Sequence, residues 1–241
     1  MSTHRRFHLA APPAGETARL EDEEAFHAFA VFRVRPGDAV TLFDGSGVEY
    51  AGVVEKASKR EVEVRVLSRA AVDREPAIAV TIAAAVPKSA HFDDALRAAC
   101  ELGLASFLPI ETERGLVRPS AHRMERWKRI AVEASKQSKR TRVTAILEPR
   151  PFRRALDEKR DRLAILTAGG GAATPLSSLL RGEPAPACAL FLVGPEGDFT
   201  GEEVAAAAAK GFVPARLTAS TLRSETALVA AMAAAALVVA P

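Results

Sequence analysis

Apolar and polar residues alternate with a period of two from Asp38 to Phe43, Val48 to Lys56 and Glu61 to Leu67, the pattern of strands with one buried face. Between the first two, Asp44-Gly45-Ser46-Gly47 has the composition of a hairpin turn. Glu21 to Phe32 reads as one short helix. The rhythm breaks from Ala70 to Pro76 and then changes. Apolar runs at Ile78 to Val86, Ser106 to Ile110, Thr144 to Leu147, Leu163 to Thr167, Ala187 to Val193 and Val213 to Leu217 alternate with stretches of helical character. Those helices are expected at Phe92 to Leu102, Ser120 to Arg140, Phe152 to Lys159, Glu202 to Lys210 and Glu225 to Val239. Apolar strands alternating with helices predict a parallel α/β sheet. The chain therefore reads as a mostly β domain over residues 1–72 and an α/β domain over 77–241.

A length of 241 residues with 48% hydrophobic content is ample for buried cores. The longest apolar run, Ala227 to Ala240, is shorter than the ~20 residues that span a bilayer, and the polar, basic start is unlike a signal peptide, so a soluble cytoplasmic protein is expected. Cys100 and Cys188 stand far apart and suggest core positions rather than a disulfide or a metal knuckle. The five histidines lack metal-ligand spacing, and no metal is expected.

The net charge of +3 hides an asymmetry. Arg114 to Arg142 holds ten Lys or Arg against only Glu125 and Glu133, so this stretch carries +8 and the remainder −5. Within it, Met124, Trp127, Ile130, Ala131 and Ala134 share one helix face, and Arg126, Lys128, Arg129, Lys136, Lys139 and Arg140 fall on the other. A solvated face alone would look much the same. Arg114, Arg118 and Arg142 beside the helix, with Arg5 and Arg6 at the chain start, favour a surface that tracks phosphates.

Neither a Gly-x-x-x-x-Gly-Lys loop nor a Gly-x-Gly-x-x-Gly fingerprint follows the first strand of the second domain, and no nucleophile elbow is present. What remains are three loops at the carboxyl ends of the last strands: Ala168 to Ala172, Gly194 to Thr200 and Leu217 to Leu222. In open α/β sheets such ends gather ligands, because unpaired N–H groups and helix N-termini point into the crevice. Gly169 to Gly171 alone would be an ordinary loop. Gly194-Pro195-Glu196-Gly197 is more than a turn requires, and Arg223 and Glu225 open an apolar helix, where charges have a task or a partner.

These motifs fall in an ordered series. It runs through Arg5-Arg6-Phe7, Arg35-Pro36-Gly37-Asp38, Leu42-Phe43-Asp44-Gly45, Pro87-Lys88, Glu101-Leu102-Gly103, Thr112-Glu113-Arg114, Arg126-Trp127 and Glu133 to Ser138, and it ends on Gly194 to Gly197 and Leu222 to Ala227. In this the chain resembles the RsmE family of SPOUT-class RNA methyltransferases over nearly its whole length. The resemblance implies an N-terminal PUA-like β-barrel, a C-terminal SPOUT α/β domain with a trefoil knot, and a homodimer. It implies S-adenosyl-L-methionine as cofactor, held by Thr167, Ala168, Gly169, Gly194, Pro195, Glu196, Gly197, Leu217, Leu222 and Thr226. The implied reaction is methylation of N3 of a uridine in 16S ribosomal RNA or the small subunit. Arg5, Arg6, Arg114, Arg126, Arg129, Lys136 and Arg140 are the expected RNA contacts. Arg223 is the expected cation for the uracil or a phosphate, with Glu225 or Glu196 as base or positioning carboxylate.

The chain departs from the family pattern at Asp198, where a glycine is usual, and at Thr218-Ala219-Ser220, where Gly-Pro-Arg is usual. Three other readings are compatible with parts of the sequence. A ribose 2′-O methyltransferase shares fold and cofactor but typically carries an Asn motif, and this chain has no Asn. A non-catalytic RNA-binding protein on the same scaffold would tolerate the altered loop. A small-molecule enzyme would leave the basic helix without a purpose.

Overall fold

The structure, a computed structural model, describes residues 5–89, 91–115, 117–166 and 173–238. It divides into two units, residues 1–74 with 135–143, and residues 75–134 with 144–241.

The first unit is built on strands β1 (Arg6–His8), β2 (Thr17–Glu21), β3 (Ala39–Phe43), β4 (Val48–Ala57) and β5 (Glu61–Ala71). They form one sheet in the order β1-β3-β4-β5-β2, antiparallel except for the β1–β3 pair. The period-two pattern has the expected consequence: Val62, Val64 and Val66 of β5 are buried, and they pack with Phe7, Leu20, Leu42 and Tyr50. At the β3–β4 turn, the Asp44 carboxylate accepts the Ser46 N–H at 3.0 Å and the Tyr50 hydroxyl at 2.8 Å. The helix expected from Glu21 to Phe32 is two pieces. Helix α1 (Asp22–Phe26) passes into a π-helical turn, His27–Val31.

The second unit contains the alternating strands and helices. In chain order these are β6 (Ala79–Ala85), α2 (Phe92–Glu101), β7 (Ser106–Glu111), α3 (Ala121–Ser138), β8 (Ala145–Ile146), β9 (Arg150–Pro151) and α4 (Phe152–Ala155). After them come β10 (Arg162–Leu166), β11 (Thr174–Pro175), α5 (Leu176–Leu180), β12 (Cys188–Val193), α6 (Gly201–Ala209), β13 (Val213–Arg216) and α7 (Ser224–Ala236). Every strand pair is parallel, in the order β11-β13-β10-β12-β6-β7-β8, with β9 added beside β7. The central strands are buried almost throughout, as strands covered on both faces must be.

Helix α3 buries Met124, Trp127, Ile130, Ala131 and Ala134. Trp127 meets Phe107 edge-on at 5.4 Å between ring centres, and its indole N–H donates to Asp93 at 2.8 Å. The sequence assigns this whole helix to the α/β domain. Its last residues, from Ser135, group with the first unit instead.

Candidate functional site

Strands β13, β10 and β12 are neighbours in the parallel sheet, so their carboxyl ends lie side by side. A cleft of about 240 Å³ lies there. Leu166 and Val193 reach it from the ends of β10 and β12, Leu217 from beyond β13, and Ala227 from α7. The polar lining comes from the 194–198 loop, from the 218–221 segment, and from Arg223 and Ser224 at the start of α7.

The first loop is a tight turn. Asp198 donates its N–H to the Pro195 carbonyl at 2.9 Å and takes a left-handed φ of 59°. Glycine enters that region freely, which accounts for the family's preference there. Asp198 reaches it with its carboxylate accepting the following N–H of Phe199 at 2.8 Å, the local bond that makes Asp one of the few tolerated substitutes. At Gly194 the constraint is space: a Cβ there would lie 3.1 Å from the Phe199 ring, which would have to yield by a few tenths of an ångström.

Just beyond, Thr200 and Glu203 form a complete capping box on α6. Buried Glu203 does more than cap. One carboxylate oxygen accepts the Thr200 N–H at 3.0 Å and the other accepts the Glu113 N–H at 2.9 Å, tying the loop after β7 to the foot of α6. The neighbouring Arg114 donates from Nη1 to the Gly197 carbonyl at 2.7 Å. Thr112-Glu113-Arg114 thus braces the Gly194–Gly197 turn from outside, and 90 residues of sequence separate the partners in the Glu113–Glu203 bond.

Arg223 is the N-cap of α7, with extended backbone and no side-chain cap on the helix. The first-turn N–H groups therefore face the cleft mouth at the positive end of the helix. Ser224, buried beside them, has a hydroxyl with no hydrogen-bond partner among the described residues. At the next residue, burial works against ionisation of Glu225, but the Ser89 hydroxyl, the residue's own N–H and the charges of Arg223 and His91 outweigh it. They hold its carboxyl below the usual range. Ser89 is fixed in turn by accepting the His91 N–H at 3.1 Å.

Of the residues singled out from sequence, Gly194, Pro195, Glu196, Leu217, Leu222 and Arg223 line the cleft. Gly197 belongs to the turn but not to the lining, and Glu225 and Thr226 stand on α7 outside it. Thr167, Ala168 and Gly169 lie outside the described residues. No sign in the sequence marks Ser224 apart from its place inside the Arg223–Glu225 motif, or Ser89; Thr200 with Glu202 and Glu203 reads as a helix N-cap followed by first-turn acids, which the capping box bears out, but the bond from Glu113 to Glu203 spans too much sequence to be read.

The expected RNA-facing set divides. Arg114, Arg126 and Arg129 are exposed, and Arg5 is half-buried and paired with Asp38 at 2.6 Å. Arg6, Lys136 and Arg140 are buried, which removes them from any exposed phosphate-facing surface. Arg6 pairs with Glu49, lies over the Phe43 ring at 4.4 Å and donates to the Arg140 carbonyl at 2.9 Å. Lys136 donates to Glu24 at 3.0 Å and meets His27 Nδ1 at 3.1 Å. Arg6 and Lys136 thus cross-link the first unit, with the Arg140 carbonyl as one of the acceptors.

A domain with this parallel sheet, its cleft at three adjacent strand ends and a separate β unit before it has the make-up of an RNA methyltransferase. A family model of that description, the RNA methyltransferase domain, matches residues 74–236, and the RNA methyltransferase PUA domain matches residues 20–67. Ribosomal RNA small subunit methyltransferase E of Synechocystis sp. is 31% identical over 219 residues, covering 90% of this chain and 72% of its own length. The protein of the same name from Bacillus subtilis is 28% identical over 220 residues, covering 88% and 86%. A crystal structure of ribosomal RNA small subunit methyltransferase E from Neisseria gonorrhoeae, bound to S-adenosyl methionine, superposes with a TM-score of 0.86 at 32% identity and covers 96% of both chains. The chain belongs to the ribosomal RNA small subunit methyltransferase E family.

Proposed function

We propose that this methyltransferase uses S-adenosyl-L-methionine to methylate N3 of a uridine in 16S ribosomal RNA of the small subunit. The observation that carries the reading is the buried Ser224 hydroxyl, without a hydrogen-bond partner among the described residues, beside the N-terminus of α7 in a cleft floored by Leu166, Val193 and Ala227. Such a lining fits a cofactor with one apolar and one charged part: exposed peptide groups and a spare hydroxyl for the polar end, aliphatic walls for the rest. Residues of the 194–197 turn, Leu217, Leu222 and Ser224 would hold it, joined by Thr167, Ala168, Gly169 and Thr226 from the resemblance. When bound, it supplies an electrophilic methyl group.

The chain's own residues must then orient the uracil and remove its N3 proton. Arg223, exposed at the cleft mouth, supplies positive charge where negative charge develops on the ring. Glu225 is a poor proton acceptor, since its environment favours the ionised form at low pH, and its task is to position Arg223. Of the two carboxylates singled out for the proton, that leaves Glu196, exposed on the cleft rim. Arg114, Arg126, Arg129 and Arg5 take the RNA backbone. The PUA-type domain at 1–72 aids RNA binding and the domain at 77–241 carries the chemistry, in a cytoplasmic homodimer as in the resemblance. Among the described residues no helix is long and apolar enough to cross a membrane.

Purified protein, labelled S-adenosylmethionine and unmodified small subunits, followed by nuclease digestion and mass spectrometry of the labelled nucleoside, test the reading. 3-Methyluridine is the expected product. Label on a ribose would replace it with the 2′-O reaction, and cofactor binding with no label in any RNA would overturn it.

A further inference from the structure

We propose that Arg114 couples RNA binding to cofactor binding: one edge of its guanidinium holds the cofactor-side turn, and the rest takes an RNA phosphate. This rests on the proposed function and adds a specific link between its two ligands.

The argument starts from how differently the arginines near the cleft are used. Arg118 is paired with Glu111 at 2.9 Å and Arg126 with Asp93 at 2.6 Å, so their charge is met by a carboxylate. Arg114 is exposed and, among the described residues, pairs with no carboxylate. Its recorded hydrogen bond goes to a neutral acceptor, the Gly197 carbonyl at 2.7 Å. A guanidinium has five N–H donors in a rigid planar fork, so donors and a full positive charge remain for a second partner. An anion that presents two oxygens to parallel N–H groups suits that fork, and in an RNA-modifying enzyme the abundant one is the backbone phosphate.

The side chain is also held. Its Cδ lies 3.4 Å from where a Cβ would stand on Gly197, so the aliphatic stem runs along the turn. The peptide immediately before it is pinned by the buried Glu203 carboxylate, which takes the Glu113 N–H at 2.9 Å. Glu203 at the same time caps α6, the helix that follows the turn. A phosphate that fixes the Arg114 fork therefore fixes the Gly197 carbonyl, and with it the turn whose Gly194, Pro195 and Glu196 line the cleft. Ordering the turn once serves both ligands, which is positive coupling, and coupling of binding free energies is reciprocal.

Isothermal titration decides the matter. S-adenosylhomocysteine is titrated into the full-length protein with and without a 16S RNA fragment carrying the target uridine, and the RNA is titrated with and without that ligand. RNA is expected to tighten the cofactor analogue about fivefold or more, the analogue to tighten RNA by the same factor, and Arg114→Met to reduce both factors below about twofold. Arg114→Lys keeps the charge but offers donors from a single nitrogen. It should retain RNA affinity within about threefold while losing most of the coupling, an outcome that a purely electrostatic or purely structural arginine would not give. Equal coupling in wild type and Arg114→Met, or no coupling in wild type, overturns the proposal. The same preparations are assayed for 3-methyluridine: methylation without coupling leaves the proposed function standing, and loss of both removes both.

Discussion

The Glu203 carboxylate joins two loops that are far apart in sequence, accepting the N–H of Glu113 with one oxygen and that of Thr200 with the other. Removing it leaves the buried Thr200 N–H and the partly buried Glu113 N–H without their acceptor and strips the capping box from α6. Each loss costs about 1–2 kcal/mol. Glu203→Ala is expected to lower stability by about 2–4 kcal/mol in urea denaturation, with Glu203→Gln, which retains one acceptor, losing about half as much.

Asp198 should tolerate glycine but not a branched residue. Asp198→Val places a β-branched side chain at φ 59° and should destabilise by about 1–2 kcal/mol. Asp198→Gly removes the strain together with the bond to Phe199 N–H, and the melting temperature should stay within a few degrees.

The buried pair of Arg6 and Glu49 sets part of the acid sensitivity. Burial pushes the Glu49 carboxyl up, but hydrogen bonds from Arg74 and Arg6 and their charges prevail, so it lies below its ordinary 4.5. A depressed carboxyl contributes stability that is fully present above about pH 4.5 and is lost as the pH falls through the folded-state value. Glu49→Gln should flatten the acid limb of stability against pH. Glu49→Ala leaves Arg6 buried without its partner and should cost about 3–5 kcal/mol at neutral pH.

In catalysis, Arg223→Ala is expected to lower kcat by about 10²–10³, the usual effect of removing a group that meets developing charge. Glu225→Gln should cost less, about tenfold, and should leave the pH profile of kcat in place. A profile that lost its acidic limb in Glu225→Gln would make that carboxylate the base.

The basic residues should separate by function. Arg129→Ala is expected to weaken RNA binding and reduce the slope of log K against log salt by about 1, the loss of one phosphate contact. Arg140→Ala and Lys136→Ala, at buried positions, should lower stability and leave the slope unchanged.

How far the sequence could be read depended on the range of the interactions. The apolar face of α3, Met124, Trp127, Ile130 and Ala134, follows from helical spacing alone and is buried as expected. Lys136 shows no such sign, because a charged residue on a helical wheel looks exposed, and its partner Glu24 lies 112 residues away. The three residues of β1 are too few to show a period, and parallel pairing with β3 is what makes them a strand. Phe152 begins a helix as its pattern suggests, but α4 ends at Ala155 rather than Lys159. Tight turns take over, with Asp157 N–H on Arg154 and Glu158 N–H on Ala155, and Glu158 paired with Arg150. At the cleft, both motifs mark lining residues. Ser224 stands out only once its burial is known, whereas Glu225 is marked by its place before an apolar helix and only its bond from Ser89 needs the structure.

The first unit closes only with residues 135–143: Thr141 donates from its hydroxyl to the Val72 carbonyl at 2.6 Å and accepts the Gly47 N–H at 3.2 Å, and Ser46 bridges to Arg142. During synthesis, the N-terminal β unit is therefore released from the ribosome well before the segment that completes it. At about 5–20 residues per second, the sixty intervening residues, 75–134, take several seconds to emerge. Through that interval the nascent β unit lacks part of its own framework, so the order of translation obliges much of the α/β unit to be made before the N-terminal unit can finish folding.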